Sequence, residues 1–526
     1  MSRLDEVLKD SGQHLAIALH HNTPHDAATV LEICITAANL GRKISILDLT
    51  RVTPRGAIYF PENLIRNYLW SSPYSPLERL KQISQPLGFN FIIADNFLAE
   101  EGKGVLANLL NHVPETLDEL VAWDQYSGYL GPSLASYLTS LVSPDEELKP
   151  QQYKSQLITA LSSFLIAKEF MDKTLTSLNI DELSVFNGRF PSMAAISMVA
   201  EQRGVQRYWH EIGRTPAYIF FERFRPHDRV EMQTAMQEFQ QEFDDKQLQG
   251  LFDEFVFERG TNEKLNPFLK YQGSSQYFSP KIDSKLATVF TSSPDETVGI
   301  GQHWSDIEWS NQYEALGKAV TQLHDNGFRV LVRLHPNLVT KSWGEFMRAV
   351  RFFRELPCEV VLPTDNIKSY DLLNFTQICI VWRSTIGLEA CARGIPTFCL
   401  GRNRYDMTAN VKLLLSRQAL EEESFSSFPI DTRSCIPGIL SQKYAARRST
   451  TSNYNDFIRE FDAWTSLEAK LLVLNRLFLP LSLLPKMASS PRYFFRMLLF
   501  VLPRSWVTFI LRNFFRLPTL SHYQRP

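Results

Sequence analysis

The sequence predicts an α/β protein made of two doubly wound, Rossmann-like domains facing a cleft, followed by a helical C-terminal tail. Three observations predict it. Between residues 285 and 401, short apolar runs alternate with longer segments of helical period. The runs "LATVF", "FRVLVRL", "CEVVL", "QICIVW" and "IPTFCL" are continuously apolar, as strands covered on both faces require. Near the start, "HLAIAL", "DAATVLEICITAANLG" and "KISILDL" repeat the strand–helix–strand order.

The first domain is placed at 1–224. After its opening unit, "FNFIIAD" and "DELSVFN" read as strands, "PSMAAISMVAEQRG" as a helix and "VQRYWHE" as a strand ending at that point. A helical insertion is expected over about 114–178, and a polar linker with helical pieces over 225–284. The second domain is placed at 285–440. Its strands are separated by a helix from about Glu296 to Asn326, a second over "SWGEFMRAVRFFREL", a short one over "IKSYDLLNF", and one over "IGLEACAR" closed by Gly394. Residues 441–526 form the tail.

Composition sets limits on function. The apolar fraction of 44% suits packed domains, and a formal net charge of -2 gives no electrostatic case for nucleic acid. The six cysteines form no C-x-x-C pair and mostly sit in apolar runs, so buried reduced thiols are expected. "MSRLDEVLKDSGQ" carries acids and no apolar h-region, so it does not read as a signal peptide, and no stretch is apolar enough for a membrane span. P-loop, G-x-G-x-x-G and G-x-S-x-G motifs are missing in the contexts that would give them meaning.

In open α/β sheets, ligands bind outside the carboxyl ends of the strands. In the second domain that rim would hold Ser292, Ser293 and Asp295, then Arg333, His335 and Asn337, then Thr364 and Asp365, then Arg383, Ser384 and Thr385. Hydroxyls with two arginines and a histidine suit an anion. Ser384-Thr385 falls where a strand turns into a helix, so it is either a phosphate site or a plain N-cap. Glu389, four residues past Thr385, could face ribose hydroxyls or solvent. His335 is restricted to extended backbone by Pro336, and either caps the following turn or donates to a phosphate.

In the first domain the equivalent positions are Asn187, Gly188 and Arg189, then His210, Glu211 and Arg214, then His20, His21, His25 and Asp26. The histidines lack H-E-x-x-H spacing, and no metal or other cofactor is expected. Asp26 and Glu211 are the candidate general bases, with nothing in the spacing to choose between them. From Lys470 onward there are nine Lys or Arg residues, no acids, and aromatic and aliphatic clusters broken by prolines. That composition suits either a membrane interface or helices packed on the protein.

"TSSPDE", "VRLHPN" and "WRSTIGLEACARGIPTFCLG", with "FNGRFPSMAAISMVAEQRGV" and "HEIGR" upstream, resemble bacterial surface and capsular polysaccharide biosynthesis glycosyltransferases of the GT-B type. A His-Pro pair followed by a Ser/Thr pair at a helix start is also similar to Kdo- and sialyl-type transferases and to teichoic acid glycerophosphotransferases. The chain departs from the last group at Trp382-Arg383, where those enzymes carry an acidic-aromatic pair. The resemblance covers about residues 180–400. It implies a nucleotide-sugar donor bound by Ser292, Ser293, Arg333, His335, Asn337, Arg383, Ser384, Thr385 and Glu389. It further implies a lipid-linked or oligosaccharide acceptor met by Asn187, Arg189, His210 and Arg214. It implies a metal-independent enzyme; the reduced thiols and the basic tail point to a cytoplasmic protein, peripheral on the inner membrane face. A glycerophosphotransferase, an epimerase or a non-catalytic export protein on the same fold are the alternatives.

Overall fold

The structure is a computed structural model, which describes residues 8, 12–52, 75–141, 148–212, 218–261, 285–292, 304, 308–336, 338, 343–365, 367–406, 409–426, 428–443, 448–449 and 454–459. The described chain divides into two compact units, one up to Asp228 and again from Lys443, the other from Arg229 to Gln442.

In the first unit, β1 (His14–Leu19), α1 (Pro24–Asn39) and β2 (Lys43–Asp48) make the opening β-α-β. Then come α2 (Pro76–Ser84), β3 (Asn90–Ile93), α3 (Glu100–Asn111), α4 (Leu117–Val121), α5 (Leu130–Leu141), α6 (Lys154–Ser177), β4 (Glu182–Phe186), α7 (Pro191–Gln202), β5 (Gln206–Ile212) and β6 (Tyr218–Glu222). Some helix starts have a clear local cause. α1 has Thr23 as its cap and Pro24 in its first turn, and Thr116 with Glu119 forms a capping box on α4. The β3-β2-β1-β4-β5 core is parallel, and β6 then pairs antiparallel with β5. This is the Rossmann strand order, whose direction reverses between β1 and β4.

In the second unit, α8 (Arg229–Gln240) and α9 (Asp245–Thr261) occupy the segment expected as a linker. There follow β7 (Leu286–Phe290), α10 (Gln312–Asp325), β8 (Arg329–Arg333), α11 (Trp343–Arg354), β9 (Glu359–Val361), α12 (Ser369–Leu373), β10 (Ile378–Val381), α13 (Ile386–Ala392), β11 (Thr397–Cys399), β12 (Lys412–Leu413), α14 (Arg417–Glu421) and α15 (Ile436–Lys443). The sheet order β9-β8-β7-β10-β11-β12 is parallel throughout and again a Rossmann order, reversing between β7 and β10. Its strands are buried along both faces, between clusters that include Val289, Val332 and Phe353 on one side and Leu331, Val381 and Leu388 on the other. That explains the unbroken apolar runs. Finally β13 (Arg448–Ser449) returns to the first unit and pairs with β6.

The structure corrects three expectations. The helix expected from Glu296 starts at Gln312, because the Asn311 side chain caps it by accepting from the Tyr313 and Glu314 amides at 2.8 and 3.0 Å. β5 runs one residue past the end expected at Glu211, to Ile212, since β6 extends its ladder beyond β4. Thr385, not Ser384, is the N-cap of α13, and its side chain makes no capping bond. All six cysteines are free, five of them buried and Cys358 partly so. No helix among the described residues is long and apolar enough to cross a membrane. The basic tail from Lys470 lies outside the described residues.

At the amino edge of the first sheet, Arg42 pairs with Glu182, both almost fully buried. Arg42 Nε donates to the Gly12 carbonyl at 2.8 Å, while Glu182 Oε1 accepts from Gly12 N and from the Tyr208 hydroxyl, both at 3.0 Å. Removing one partner strands a buried charge. Arg42→Ala should therefore destabilise the first unit by roughly 3–5 kcal/mol, read as a fall in the urea midpoint of the full-length chain.

Candidate functional site

Both candidate rims lie at the strand-order reversals. In the first unit Ile17 is in register with Ser184, and Phe186 with His210. The residues just past those strand levels are His20, Asn187 and Glu211, so residues far apart in sequence share one edge.

Asp26 stands in the first turn of α1, where its amide donates to Thr23 Oγ1 at 3.1 Å and its Oδ2 accepts from the same hydroxyl at 2.6 Å. A helix N-terminus ordinarily favours the carboxylate. Here burial wins. With Asp26 only 7% exposed, desolvation drives its pKa up to about 7, against the Thr23 bond, and the negative charge of Glu211 pushes the same way. The two base candidates thus feel each other. Tyr454 closes this corner from the returning segment, its hydroxyl 3.1 Å from His25 Nδ1. Burial raises that phenol's pKa, and the Asp26 charge adds to the rise.

Asn187 has φ 54°, in the left-handed region, and Gly188 follows at φ 80°. Asparagine tolerates that conformation better than most residues, and such strain concentrates at functional sites. The turn aims the Asn187 amide nitrogen at Glu211 Oε2 (2.9 Å) and His227 Nε2 (3.0 Å). The amide therefore orients the carboxylate while His227 Nε2 accepts. Three further imidazoles are buried here. His21 meets the Phe186 ring edge-on at 5.4 Å, and Phe186 meets His210 at 5.9 Å. His210 Nδ1 lies 2.7 Å from Ser184 Oγ, and His20 Nδ1 lies 3.4 Å from Ser192 Oγ. Burial keeps all three neutral, holding His20 well below its usual range, His21 at about 4 and His210 at about 3. Among the described residues no group of His, Cys, Asp or Glu is placed to hold a metal. Arg189 lies 5.8 Å over the Phe190 ring, and Arg214 lies outside the described residues.

In the second unit the rim is stitched by backbone-to-hydroxyl bonds. The Thr291 hydroxyl accepts from His335 N at 2.8 Å, and the Ser292 hydroxyl accepts from Arg383 N at 3.0 Å. The His335 carbonyl accepts from Leu338 N at 3.0 Å, so Pro336 sits inside a tight turn that begins at the histidine. The Arg383 guanidinium donates to the Trp304 carbonyl at 2.7 Å and lies 5.3 Å over the Trp382 ring; burial lowers its pKa to about 10, leaving it charged at neutral pH. Ser384 and Thr385 are half-exposed, and the Ser384 carbonyl accepts from the Tyr405 hydroxyl at 2.7 Å. Two members of the expected set lie deeper. Arg333 is the last residue of β8, 1% exposed, and donates to the Leu362 carbonyl; Glu389 is 4% exposed in the first turn of α13. Ser293 and Asn337 lie outside the described residues.

Sequence reasoning missed His227, Tyr454 and Thr291. His227 and Tyr454 lie outside any strand-end motif, while Thr291 opens "TSSPDE" but was passed over for the serines beside it.

No protein-family model matches the sequence, and no curated protein matches it. Solved structures give weak likenesses. KpsC of Thermosulfurimonas dismutans, a β-Kdo 2,7-transferase, is 15% identical, with 55% of this chain and 89% of that one covered at TM-score 0.32. The Methanocaldococcus jannaschii UDP-GlcNAc 2-epimerase, solved with UDP-GlcNAc and UDP, is 10% identical, with 82% and 99% covered at 0.29. MurG of Acinetobacter baumannii is 10% identical, with 85% and 100% covered at 0.26.

Proposed function

We propose that the chain is a GT-B glycosyltransferase of bacterial surface or capsular polysaccharide synthesis. It transfers a sugar from a nucleotide-activated donor to a lipid-linked or oligosaccharide acceptor. The observation that carries this reading is Asp26, a carboxyl at the strand-order reversal of the first sheet whose pKa burial brings up to about 7. That is the value a general base needs near neutral pH.

In this reading the first unit takes the acceptor and the second, over residues 285–440, takes the donor. Asp26 removes the proton of the attacking acceptor hydroxyl, and Glu211, held by Asn187, keeps the carboxyl pKa high. The hydroxyl oxygen forms the new glycosidic bond as the bond from the sugar to the nucleotide phosphate breaks. The leaving phosphate is met by His335, Arg383, Ser292, Ser384 and Thr385, with no metal required. Arg333 and Glu389 support the rim from beneath, and Ser293 and Asn337 are proposed as further donor-binding residues. The basic segment from Lys470 onward holds the enzyme against anionic lipid on the cytoplasmic face.

Thermal shifts of the full-length protein with CMP-, UDP-, GDP- and CDP-linked sugars test the donor side, because a bound ligand stabilises the fold. One nucleotide class should raise the melting temperature. His335→Ala should then cut transfer by about 100-fold or more, the scale of a lost charge-stabilising donor, with the far-UV spectrum unchanged. Full transfer by that variant, or no shift with any donor, defeats the proposal.

A further inference from the structure

Trp209 is not accounted for by the groups around Asp26. It lies on β5, 6% exposed, and its indole Nε1 has no hydrogen-bond partner among the described residues. A buried indole N–H ordinarily finds an acceptor, so an orphan asks for a ligand. The atom is aimed at the turn between β4 and α7. A Cβ built on Gly188 would stand 2.8 Å from Trp209 Nε1 and 3.7 Å from Arg225 Nε. Only glycine leaves that approach open. On the same turn Asn187, also 6% exposed, has its Oδ1 without a partner, its nitrogen being used on Glu211 and His227.

Two arginines stand near the turn, on which the Asn187 amide also holds the Glu211 carboxylate at 2.9 Å. Arg225 is half-buried, lies 5.4 Å over the Tyr129 ring, and has no carboxylate within ion-pairing distance among the described residues. Arg207, 5.4 Å over the Trp209 ring, is by contrast paired with Glu201 at 2.5 Å. α7 starts at Pro191, and its N-cap, Phe190, supplies no side-chain bond, so the positive end of a twelve-residue helix adds to the field. Tyr129 is presented by a loop in which Tyr126, Ser127 and Gly128 have φ of 54°, 55° and 74°. Successive left-handed residues persist only where the surroundings enforce them.

We propose that this turn is an oxyanion subsite, in which the Trp209 indole N–H and the Arg225 guanidinium hold a carboxylate or phosphate of the acceptor while Asn187 Oδ1 accepts from a neighbouring hydroxyl. A neutral sugar could use Trp209 and Asn187, but it would leave Arg225, whose charge reaches Glu201 only at longer range, without an anion in ion-pairing distance. A sugar carrying an oxyanion satisfies all three. The acceptor is then an acidic or phosphorylated glycan. This rests on reading the first unit as the acceptor side.

Calorimetric titration of the full-length protein with glucuronate, glucose 6-phosphate and glucose, without donor, tests it. At least one anion should bind ten-fold or more tightly than glucose. Glucuronate alone identifies a carboxylate, glucose 6-phosphate alone a phosphate. Trp209→Phe, which keeps the ring, and Arg225→Gln should each remove the preference, and Arg225→Lys should keep part of it. Equal binding of anions and glucose, no binding of any, or a preference unchanged in both variants overturns the subsite. The readout needs no transfer. Anion binding without transfer therefore defeats the proposed function alone, and transfer without anion preference defeats the subsite alone.

Discussion

Asp26→Asn should abolish transfer while making the protein more stable above neutral pH. As the general base the carboxylate is worth about 10²–10⁴-fold in rate, and the amide cannot accept the proton. The stability gain follows from linkage. The Asp26 pKa rises from 3.8 in the unfolded chain to about 7 in the fold, so the folded state holds the proton more tightly. Stability is present while the group is protonated and is lost as pH rises from about 4 to 7. Near 1.36 kcal/mol per unit, the cost above pH 7 is about 4 kcal/mol. The asparagine never charges, so most of that cost disappears, less what is lost when the Thr23 bond to Oδ2 changes. Urea midpoints at pH 8 and pH 5 decide it. The variant should gain about 4 kcal/mol at pH 8 but only about 1.6 kcal/mol at pH 5. A variant that still transfers sugar, or one equally destabilised at both pH values, rules out the base assignment.

The same carboxyl sets the pH profile. Transfer needs it ionised, so kcat/KM should rise with pH through about 7 and level off above. Glu211 contributes to the raised value through its charge. Glu211→Gln should move the acid limb to lower pH, which a merely structural role for Glu211 would not do.

Much of the fold was legible because parallel strands covered on both faces must be apolar throughout, and "LATVF" to "IPTFCL" are. β6 was not. "YIFFE" follows a Pro in a stretch without alternation, and its pairing with β5 depends on an antiparallel return that no local pattern announces. β12 and β13 are two residues each, too short for a periodicity. In the site, Gly188 marked a tight turn, but the left-handed strain falls on Asn187, whose side chain is then aimed at Glu211 and His227. Sequence spacing set Asp26 and Glu211 as rivals. The fold makes them neighbours in charge, because β5 runs past the end of β4 and carries Glu211 to the edge where α1 begins. The tail read as a single basic segment from 441, yet Tyr454 within it lies buried beside His25, a contact spanning 429 residues that composition cannot reveal. Arg333 looked like a rim residue because charged side chains seldom end a buried strand. The Leu362 carbonyl and the buried surroundings give its guanidinium a place inside.

Acidification should unfold the first unit through its buried imidazoles. The pKa of His21 falls from 6.5 to about 4 and that of His210 from 6.5 to about 3, both because burial penalises the imidazolium. A depressed histidine contributes stability that is complete above the unfolded value near 6.5 and is lost as pH falls towards the folded one. Between pH 7 and 4, each of these two loses about 3 kcal/mol by the same linkage. His20, lowered further still by the same cause, adds to the loss. Asp26 works against them, returning about 4 kcal/mol as it takes up its proton. The histidines outnumber it, so the urea midpoint should drop towards pH 4. His21→Phe keeps an edge contact with Phe186 and removes one titrating group, so the drop should shrink by about 3 kcal/mol. Asp26→Asn removes the opposing group, so the drop should steepen by about 4 kcal/mol. The two variants bend the same curve in opposite directions, which general acid sensitivity of the surface carboxylates cannot do. Parallel curves for parent and both variants would show that these imidazoles and Asp26 do not titrate with folding.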